Sequence, residues 1–367
     1  MDRTQESLRK IEAVRAWLTE ANLAGVLLES QANFAWITAG GHSHVVTSEE
    51  RGVAGVVITA DLAAIVTTNI ECQRLVDEQL PAGCFETIEY PWHAPEEREE
   101  VIGDIAPPER LASDLPSGDR PAAGPGLTEL RRVLMQPEID RYKDLAQDAA
   151  FAVESACRSV RLRESELDMA ARVAALCSEK DLLPVVNLVA ADERIARYRH
   201  PLPTANRVDR KLLVVLTARR HGLHASLTRS VCFGKPDSEH ESGHGVCTRV
   251  DARMIRASRP GRKLSEIVSA GIEQYVAEGF PGEWRQHHQG GLTGYAGREI
   301  LATQATDYTL KTNQALAWNP SVAGAKSEDT ILVTEEGIDV LTSTGHWPQL
   351  EVELDDDALP RPALLIR

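Results

Sequence analysis

Apolar residues recur at helical spacing near the start of the chain, which predicts an amphipathic helix over residues 3–20. Three apolar, β-branched segments of strand length follow this helix. They cover residues 24–30, 52–59 and 63–68. A helix followed by closely spaced strands predicts a small α/β domain with a mixed sheet in the first half of the chain.

The second half alternates helical segments with strand-like runs. Pro137 stands at the start of a long amphipathic run, as a first-turn proline does. Further helical patterns cover residues 164–180, 250–258 and 264–279. Runs rich in β-branched residues cover 185–190, 211–219, 226–234, 314–322 and 329–342. This order predicts helices packed on a curved antiparallel sheet, and the fold class is α/β in the broad sense that includes α+β.

A segment rich in Pro, Gly, Ala and Asp, residues 104–127, indicates the approach to a linker between two domains. We therefore expect an N-terminal domain over residues 1–130 and a larger domain over 131–350. The remaining residues, 351–367, carry the acidic run 351–357 and are predicted to be a C-terminal tail with a solvated edge.

Composition narrows the possible partners. The 367 residues are 43% hydrophobic and 26% charged, with a net charge of −15, which argues against nucleic acid or an anionic membrane as a partner. No apolar run reaches the roughly 18 residues that span a bilayer, and the charged N-terminus lacks the apolar core of a secretion signal. The six cysteines form no CxxC pair, so we expect reduced thiols in a cytoplasmic protein.

Four motifs occur in an order and at a spacing that resemble the pita-bread fold family of methionine aminopeptidase, aminopeptidase P, prolidase and creatinase. They are RYRHPLPT (197–204), HGLHASLTRSVCFG (221–234), HHQGGLTGYAGRE (287–299) and AWNPSVAGAKSEDTILVTEEG (317–337). The resemblance covers about residues 135–345. It implies a C-terminal pita-bread domain with a curved antiparallel sheet, preceded by the small N-terminal domain of the creatinase and prolidase branch.

Peptidases of this family hold two divalent cations with two Asp, one His and two Glu. Cations about 3.5–4 Å apart need such carboxylates to neutralise their repulsion. At the matching positions this chain has Val215, Ser226 and Asn319 in place of carboxylates, whereas Glu328 is retained. The histidine is retained as His287 or His288, and the spacing to Gly290 favours His287. The resemblance therefore implies a member that has lost its two-metal site, and we expect no metal and no cofactor.

The residues that remain resemble the metal-free site of creatinase. His200 matches the histidine that activates water there and then protonates the leaving nitrogen, a role that suits an imidazole. The candidate catalytic residues are His200, His287 and Glu328. Arg298 matches an arginine that contacts the substrate carboxylate, although a pair between Arg298 and Glu299 is the alternative.

Further residues are candidates for contact with the substrate. They are Arg199, Arg197, His288, Asn319, Tyr295 and Trp36, with Trp318 as a second aromatic residue of the pocket or of the core. Creatinase keeps a Glu at the position of Asn319, so creatine is not the expected substrate. Arg197 and Arg199 could hold an anion, or they could be solvated surface residues.

Two other patterns have simpler explanations than catalysis. His240 to His244 fits the HExxH pattern of zinc proteases, but Gly243 and the polar residues around it indicate a surface loop. Ser226 could be a nucleophile, although a serine that fills the space of the lost aspartate is the simpler interpretation.

The main functional hypothesis is a metal-independent, creatinase-like hydrolase or lyase that acts on a C–N bond of a small carboxylate-bearing substrate. The first alternative is an inactive pseudo-peptidase that binds a ligand or a partner protein through the former cleft. The second is a single-metal, Xaa-Pro peptidase-like enzyme, with His200, His287 or His288, and Glu328 as ligands of Fe(II) or Zn(II).

The resemblance also implies a homodimer, in which the small domain of one subunit caps the cleft of the other. Polar and aromatic residues in predicted loops, at 33–36 and 40–44, suit such a lid, and Trp36 is the candidate contact. In the alternative interpretation, Phe34 and Trp36 pack into the core of their own domain.

Overall fold

The computed structural model describes residues 1–354 and 357–367. These residues form two compact units, Met1–Glu138 and Ile139–Arg367, so the first unit extends eight residues beyond the predicted boundary at 130. The predicted C-terminal tail is instead part of the second unit, and it contains the end of one strand and two further strands. Asp355 and Asp356, within the predicted acidic edge, lie outside the described residues.

The first unit is a mixed sheet with helices, as the pattern predicts. Its helices are α1 (Arg3–Glu20), α2 (Gln31–Ile37), α3 (Cys72–Arg74), α4 (Glu97–Ile105) and α5 (Gly124–Arg132). Its strands are β1 (Gly25–Ser30), β2 (Arg51–Thr59), β3 (Ala63–Thr68), β4 (Glu86–Tyr90) and β5 (Leu111–Ser113). They lie in the order β4-β3-β2-β1-β5, with β1 and β2 antiparallel and β1 and β5 parallel.

Helix α1 begins where the sequence provides a capping box. The Asp2 side chain accepts from the Gln5 backbone N–H, and the Gln5 side chain accepts from the Asp2 backbone N–H, so two donors of the first turn are satisfied. Ile11, Val14 and Leu18 lie on one face of the helix and are buried. The helical periodicity therefore corresponds to a face that packs in the core.

The segment with Phe34 and Trp36 is helical, whereas the sequence pattern predicted a loop. Both residues lie in α2, which Ser30 caps by accepting from the Asn33 backbone N–H. Trp36 is 2% exposed and Phe34 is fully buried. The Lys10 ammonium lies 5.9 Å from the centre of the Trp36 ring within the same unit. This burial corrects the interpretation of Trp36 as a lid residue and supports the alternative, in which both rings pack in the core of their own unit.

The second unit carries the remaining helices and strands, and α6 (Gln136–Ser159) leads into it. The other helices are α7 (Glu166–Ser178), α8 (Glu193–Arg197), α9 (Ser238–Ala257) and α10 (Leu264–Ala277). The longer strands are β6 (Leu183–Ala191), β7 (Lys211–Arg220), β8 (Leu223–Cys232), β9 (Gly290–Thr293), β11 (Gln314–Trp318), β14 (Asp329–Val333), β16 (Gln349–Leu354) and β17 (Asp357–Pro362). The shorter strands are β10 (Ile300–Leu301), β12 (Ser321–Val322), β13 (Ala325–Lys326), β15 (Ile338–Val340) and β18 (Leu365–Ile366).

Two sheets of the second unit meet at strands β8 and β14. The first sheet has the order β18-β8-β7-β6 and the second has the order β10-β9-β11-β14-β15. The Thr228 backbone N–H donates to the Glu328 carbonyl at 3.0 Å, and the Ser226 N–H donates to Thr330 Oγ1 at 2.7 Å. These bonds join the two sheets into the predicted, largely antiparallel curved surface and bring two of the sequence motifs together.

The HExxH segment is helical and not a loop. His240 and His244 both lie in α9, where the Asp237 side chain accepts from the His240 backbone N–H. Gly243 faces Val322 and Ala325, and an added Cβ would lie only 3.3 Å from Val322, so close packing explains this glycine within the helix. His244 Nε2 lies 2.9 Å from the Pro362 carbonyl oxygen. His244 therefore packs against β17, one of the chain's own C-terminal strands.

A chain of buried ion pairs connects α9, β14, β8 and α6. Arg361 Nη2 lies 2.6 Å from both Asp251 Oδ2 and Asp329 Oδ2. Arg229 Nη1 lies 3.0 Å from Asp329 Oδ1, and its Nε lies 3.3 Å from Glu154 Oε1. All five side chains are at most 5% exposed. This buried ion-pair chain holds the β8 and β14 backbones on which Thr228 and Glu328 are placed.

None of the described helices is both long and apolar enough to cross a membrane. All six cysteines are free, as their spacing predicts.

Removal of Arg361 should destabilise the second unit strongly. The Arg361→Met variant leaves Asp251 and Asp329 buried without their shared cation, and the expected loss is about 3–5 kcal/mol of unfolding free energy. The control variant Arg163→Ala breaks an exposed pair with Asp209 and should lose at most about 1 kcal/mol. Urea unfolding of both variants provides the comparison, and equal shifts would contradict the structural role of the buried ion-pair chain.

Candidate functional site

Three histidines from two sequence motifs meet in the second unit. His200 follows α8 and is exposed, whereas His287 is buried and His288 is half-buried in the turn before β9. His200 Nε2 lies 3.0 Å from His287 Nε2, and the rings of His287 and His288 stack with their centres 4.4 Å apart. The sequence motifs therefore place His200 next to both candidate histidines, although 87 residues separate His200 from His287.

The turn that carries His287 and His288 is fixed by a side-chain hydrogen bond and by two glycines. Gln289 Nε2 donates to the His287 carbonyl oxygen at 2.6 Å. Gly290 and Gly291 have φ values of 103° and 151°, and an added Cβ would lie 2.0 Å from the Ala317 carbonyl oxygen of β11 and 2.1 Å from the Ile300 carbonyl oxygen of β10. Only glycine allows this close approach, so the HHQGG motif serves both to hold the histidines and to pair β9 with β11.

Glu328 is the second feature of the site. Its carboxylate accepts from Thr228 Oγ1 at 2.9 Å and lies 2.8 Å from Lys326 Nζ and 3.5 Å from Arg298 Nη2. Glu328 and Lys326 are 2% and 6% exposed. The Arg298 guanidinium thus pairs with Glu328, and its Nη1 also donates to the Gly297 carbonyl oxygen. Two cations face one carboxylate, so this group carries a net positive charge.

The surroundings of each group set its protonation state. Burial alone would raise the pKa of Glu328, but the charges of Lys326 and then Arg298 outweigh burial and lower this pKa. Burial, and after it Lys326, lowers the pKa of His287 to about 2 and also lowers the pKa of His200. Burial, followed by Arg298 and Lys326, lowers the pKa of His288 to about 4. At neutral pH the site therefore contains a charged Glu328 and neutral imidazoles.

Lys326 was missed by the sequence reasoning, which took only Glu328 from the KSED segment. The available signal was spacing, because residues two apart in an extended chain point to the same side. Lys326 ends β13 and Glu328 directly precedes β14, so both side chains reach the same buried space. A lysine in an otherwise buried extended segment requires a partner, and the nearest carboxylate in the sequence was the retained family residue.

The positions of the family's two-metal site do not fit two cations. Val215 is buried and has no donor atom, and Ser226 Oγ is engaged with Thr217 Oγ1 at 2.9 Å. Asn319 is 2% exposed, and its Oδ1 has no hydrogen-bond partner among the described residues. Glu328 is the single carboxylate at these positions, and Lys326 already neutralises it. One compensated carboxylate cannot balance two adjacent dications in a buried site.

One smaller metal-ligand group does form in the described part of the chain, and it consists of His200, His287 and His288. Their nitrogen atoms lie within 4.8 Å of one another. The predicted two-histidine, one-carboxylate set differs from this group, because Glu328 points instead to Lys326, Arg298 and Thr228. Metal-binding histidines usually donate their other ring N–H to an acceptor, whereas Nδ1 of both His287 and His288 has no partner among the described residues.

The remaining candidate substrate-binding residues differ in their exposure and in their partners. Arg199 donates to Ser321 Oγ and pairs with Glu283, so its guanidinium is already engaged. Arg197 is 63% exposed and pairs with Glu193 within α8, which corrects its interpretation as a pocket residue in favour of the surface alternative. Tyr295 is 1% exposed. Trp318 is fully buried and donates from Nε1 to Ser258 Oγ, as a core residue does.

Acid should weaken the folded state through these histidines. The pKa of His288 is about 4 in the folded chain against an ordinary value of 6.5, so between these values the unfolded chain binds more protons. The contribution of His288 to the free energy of unfolding is therefore fully present above about pH 6.5 and is lost as the pH falls towards the folded-state pKa. In the His288→Gln variant, the drop in melting temperature between about pH 7 and about pH 5 should be smaller, whereas the exposed His346→Gln control should keep the full drop. An unchanged drop in His288→Gln would contradict a neutral, buried His288.

Comparisons with known proteins agree with this architecture. Residues 140–335 match the model of metallopeptidase family M24. An Xaa-Pro dipeptidase from Pyrococcus furiosus is 25% identical over 230 residues, and the match covers 59% of this chain and 65% of that relative, which is slightly less than two thirds.

Solved structures resemble the whole chain. An Xaa-Pro dipeptidase from Bacillus anthracis has a TM-score of 0.77 at 19% identity, covering 98% of this chain and 100% of that one. An X-Pro aminopeptidase from Thermotoga maritima has a TM-score of 0.76 at 18% identity, covering 98% and 99%. The N-terminal domain of FACT complex subunit SPT16 from chickpea has a TM-score of 0.72 at 13% identity, covering 93% and 96%. The fold is therefore the pita-bread fold of the prolidases, and the chain belongs to metallopeptidase family M24.

Proposed function

We propose that this protein hydrolyses a C–N bond of a small, peptide-like substrate that carries a carboxylate, without the paired metal ions of its family. The observation that carries this proposal is the exposed His200 imidazole, held 3.0 Å from the buried His287 imidazole. Xaa-Pro dipeptidases among the relatives support a peptide-like substrate more than a creatinase-like one.

His200 is the proton-transfer residue in this proposal. It is neutral at working pH and exposed, so it can take a proton from a water molecule as that water attacks the carbonyl carbon. The same proton then passes to the nitrogen as the C–N bond breaks, which yields a carboxylic acid and an amine. His287 contacts His200 and not the substrate in this arrangement, so it positions the reacting imidazole.

The cations of the site are suited to bind a negatively charged substrate carboxylate. Arg298 is 21% exposed and its Nε has no partner among the described residues, so it can bind the substrate carboxylate. The net positive charge of Glu328, Lys326 and Arg298 favours an anionic ligand over a cationic one.

A single metal ion on the three histidines is the second candidate. The nitrogen atoms of His200, His287 and His288 lie close enough to share one metal ion. Some catalytic zinc sites are also formed by three histidines. Two nearby cations oppose it, because Lys326 acts on His287 and His288 as a positive charge and Arg298 acts on His288 in the same way. We therefore rank it below the metal-independent reaction.

We extend the proposal to assembly as a homodimer, the commonest arrangement of soluble oligomers. The burial of Trp36 means that this residue is not the proposed contact to a partner.

The His200→Ala variant should abolish most turnover. Assays of Xaa-Pro dipeptides, N-acyl amino acids and small amidines by mass spectrometry identify the substrate, and kcat/KM should then fall by about 10²–10⁴-fold in His200→Ala. The matched control His346→Ala removes an exposed histidine outside the site and should leave kcat/KM unchanged. Equal activity of His200→Ala and wild type would refute the mechanism. Ligand binding in a thermal-shift screen without turnover of any bound compound would instead support the pseudo-peptidase alternative.

A further inference from the structure

Lys326 has an unusual setting for a lysine. It ends the short hairpin formed by β12 and β13, where it pairs with Ser321 in the strand register, and it is 6% exposed. Lysine is rarely buried, and a buried ammonium group must be compensated by charge and by hydrogen bonds. The chain therefore keeps an ammonium group inside the site, paired with Glu328.

The ammonium group retains hydrogen-bonding capacity. It has three N–H donors, and among the described residues its side-chain partner is Glu328, 2.8 Å away. Other polar atoms of the site are also buried without a partner in the described part of the chain. They are Asn319 Oδ1, Gln289 Oε1, His287 Nδ1 and His288 Nδ1. Buried polar groups are normally paired, so this concentration indicates a surface that completes its hydrogen bonds with a ligand.

We propose that Lys326 is a catalytic residue whose ammonium group contacts the substrate carbonyl oxygen and stabilises the negative charge that develops there. This inference rests on the proposed hydrolysis and assigns a role that no retained family residue supplies. Water bonds to the carbonyl carbon as His200 takes its proton, and the π electrons of the carbonyl move to the oxygen beside Lys326. When the C–N bond breaks, the carbonyl reforms, and the nitrogen leaves with the proton from His200.

Glu328 has a supporting role in this arrangement. Its carboxylate holds Lys326 from one side, and Thr228 fixes the carboxylate by donating to the same oxygen at 2.9 Å. Arg298 approaches the other carboxylate oxygen, Oε1, at 3.5 Å. The lysine is therefore held in place before substrate binds, and such preorganised charge is the main source of transition-state stabilisation in many enzymes.

The test separates catalysis from folding with two variants. Lys326→Met removes the cation, and it should lower kcat by about 10²–10³-fold with a small change in KM. Lys326→Met combined with Glu328→Gln removes the ammonium group and the carboxylate together, so neither member of this buried pair is left without its partner. Arg298 is 21% exposed and stays solvated, so the melting temperature should recover. In the double variant kcat should remain low. A double variant that recovers both stability and kcat would overturn the proposal, because Lys326 would then serve only to neutralise Glu328. The surface variant Lys143→Met is the matched control and should retain wild-type kcat.

Binding of a phosphinic dipeptide analogue, which carries a tetrahedral anion in place of the amide, gives a readout that is independent of turnover. Calorimetry should show about 10²-fold weaker binding to Lys326→Met and to the double variant than to wild type. Loss of turnover in His200→Ala with unchanged kcat and unchanged analogue binding in Lys326→Met would sustain the proposed function and refute the role of Lys326. Lysine-dependent binding of the analogue by a wild-type protein that turns over no substrate would sustain the anion site and refute the proposed function.

Discussion

The site depends on one constraint, which is that the buried carboxylate of Glu328 must be compensated by positive charge. An isolated carboxylate in this position would be too costly to keep ionised, and burial alone would raise its pKa. Lys326, Arg298 and Thr228 reverse this effect through two charges and a hydrogen bond. The compensation is internal to the chain, whereas the peptidases that this sequence resembles balance their carboxylates with divalent cations.

The need to balance charge at this site also explains why the carboxylates of the family are replaced together. Valine at 215, serine at 226 and asparagine at 319 remove negative charge from the site, and the ammonium group of Lys326 supplies positive charge beside the remaining carboxylate. A carboxylate restored at 226 would have to be accommodated beside Thr217, which already hydrogen-bonds the serine. The buried ion-pair chain from Asp251 to Glu154 lies directly behind this region and fixes the strands that carry Thr228 and Glu328. The substitutions therefore describe a site with a different charge balance and an intact supporting framework.

Periodicity and motif order were sufficient for much of the fold. The helix predicted over residues 3–20 is α1, and the three strands predicted after it are β1, β2 and β3, each with ends within one residue. The motif order also placed His200 beside His287, because the pita-bread fold brings these segments together. Both are cases in which a local pattern or a known topology determines the outcome.

Contacts that depend on tertiary packing could not be predicted from the sequence pattern. Gly243 suggested a loop, but the helix tolerates it because Val322 and Ala325 pack against its face. Trp36 beside glycines suggested a lid, but the residue lies in a capped helix whose faces are buried. Arg197 and Arg199 lie within three residues of His200 in sequence, yet a helical turn directs Arg197 to the solvent. Lys326 was missed because its importance comes from Glu328, two residues along the chain, and only tertiary packing buries this pair.

If protein side chains supply the positive charge of the site, the protein should not need a bound metal ion. The measurement is elemental analysis of protein purified without chelators, together with its melting temperature in the presence of a chelator and of added Zn²⁺, Mn²⁺ or Fe²⁺. We expect far less than one transition metal per chain, and no change in melting temperature under any of these conditions. One tightly bound metal per chain, lost in a His287→Ala variant, would contradict this expectation.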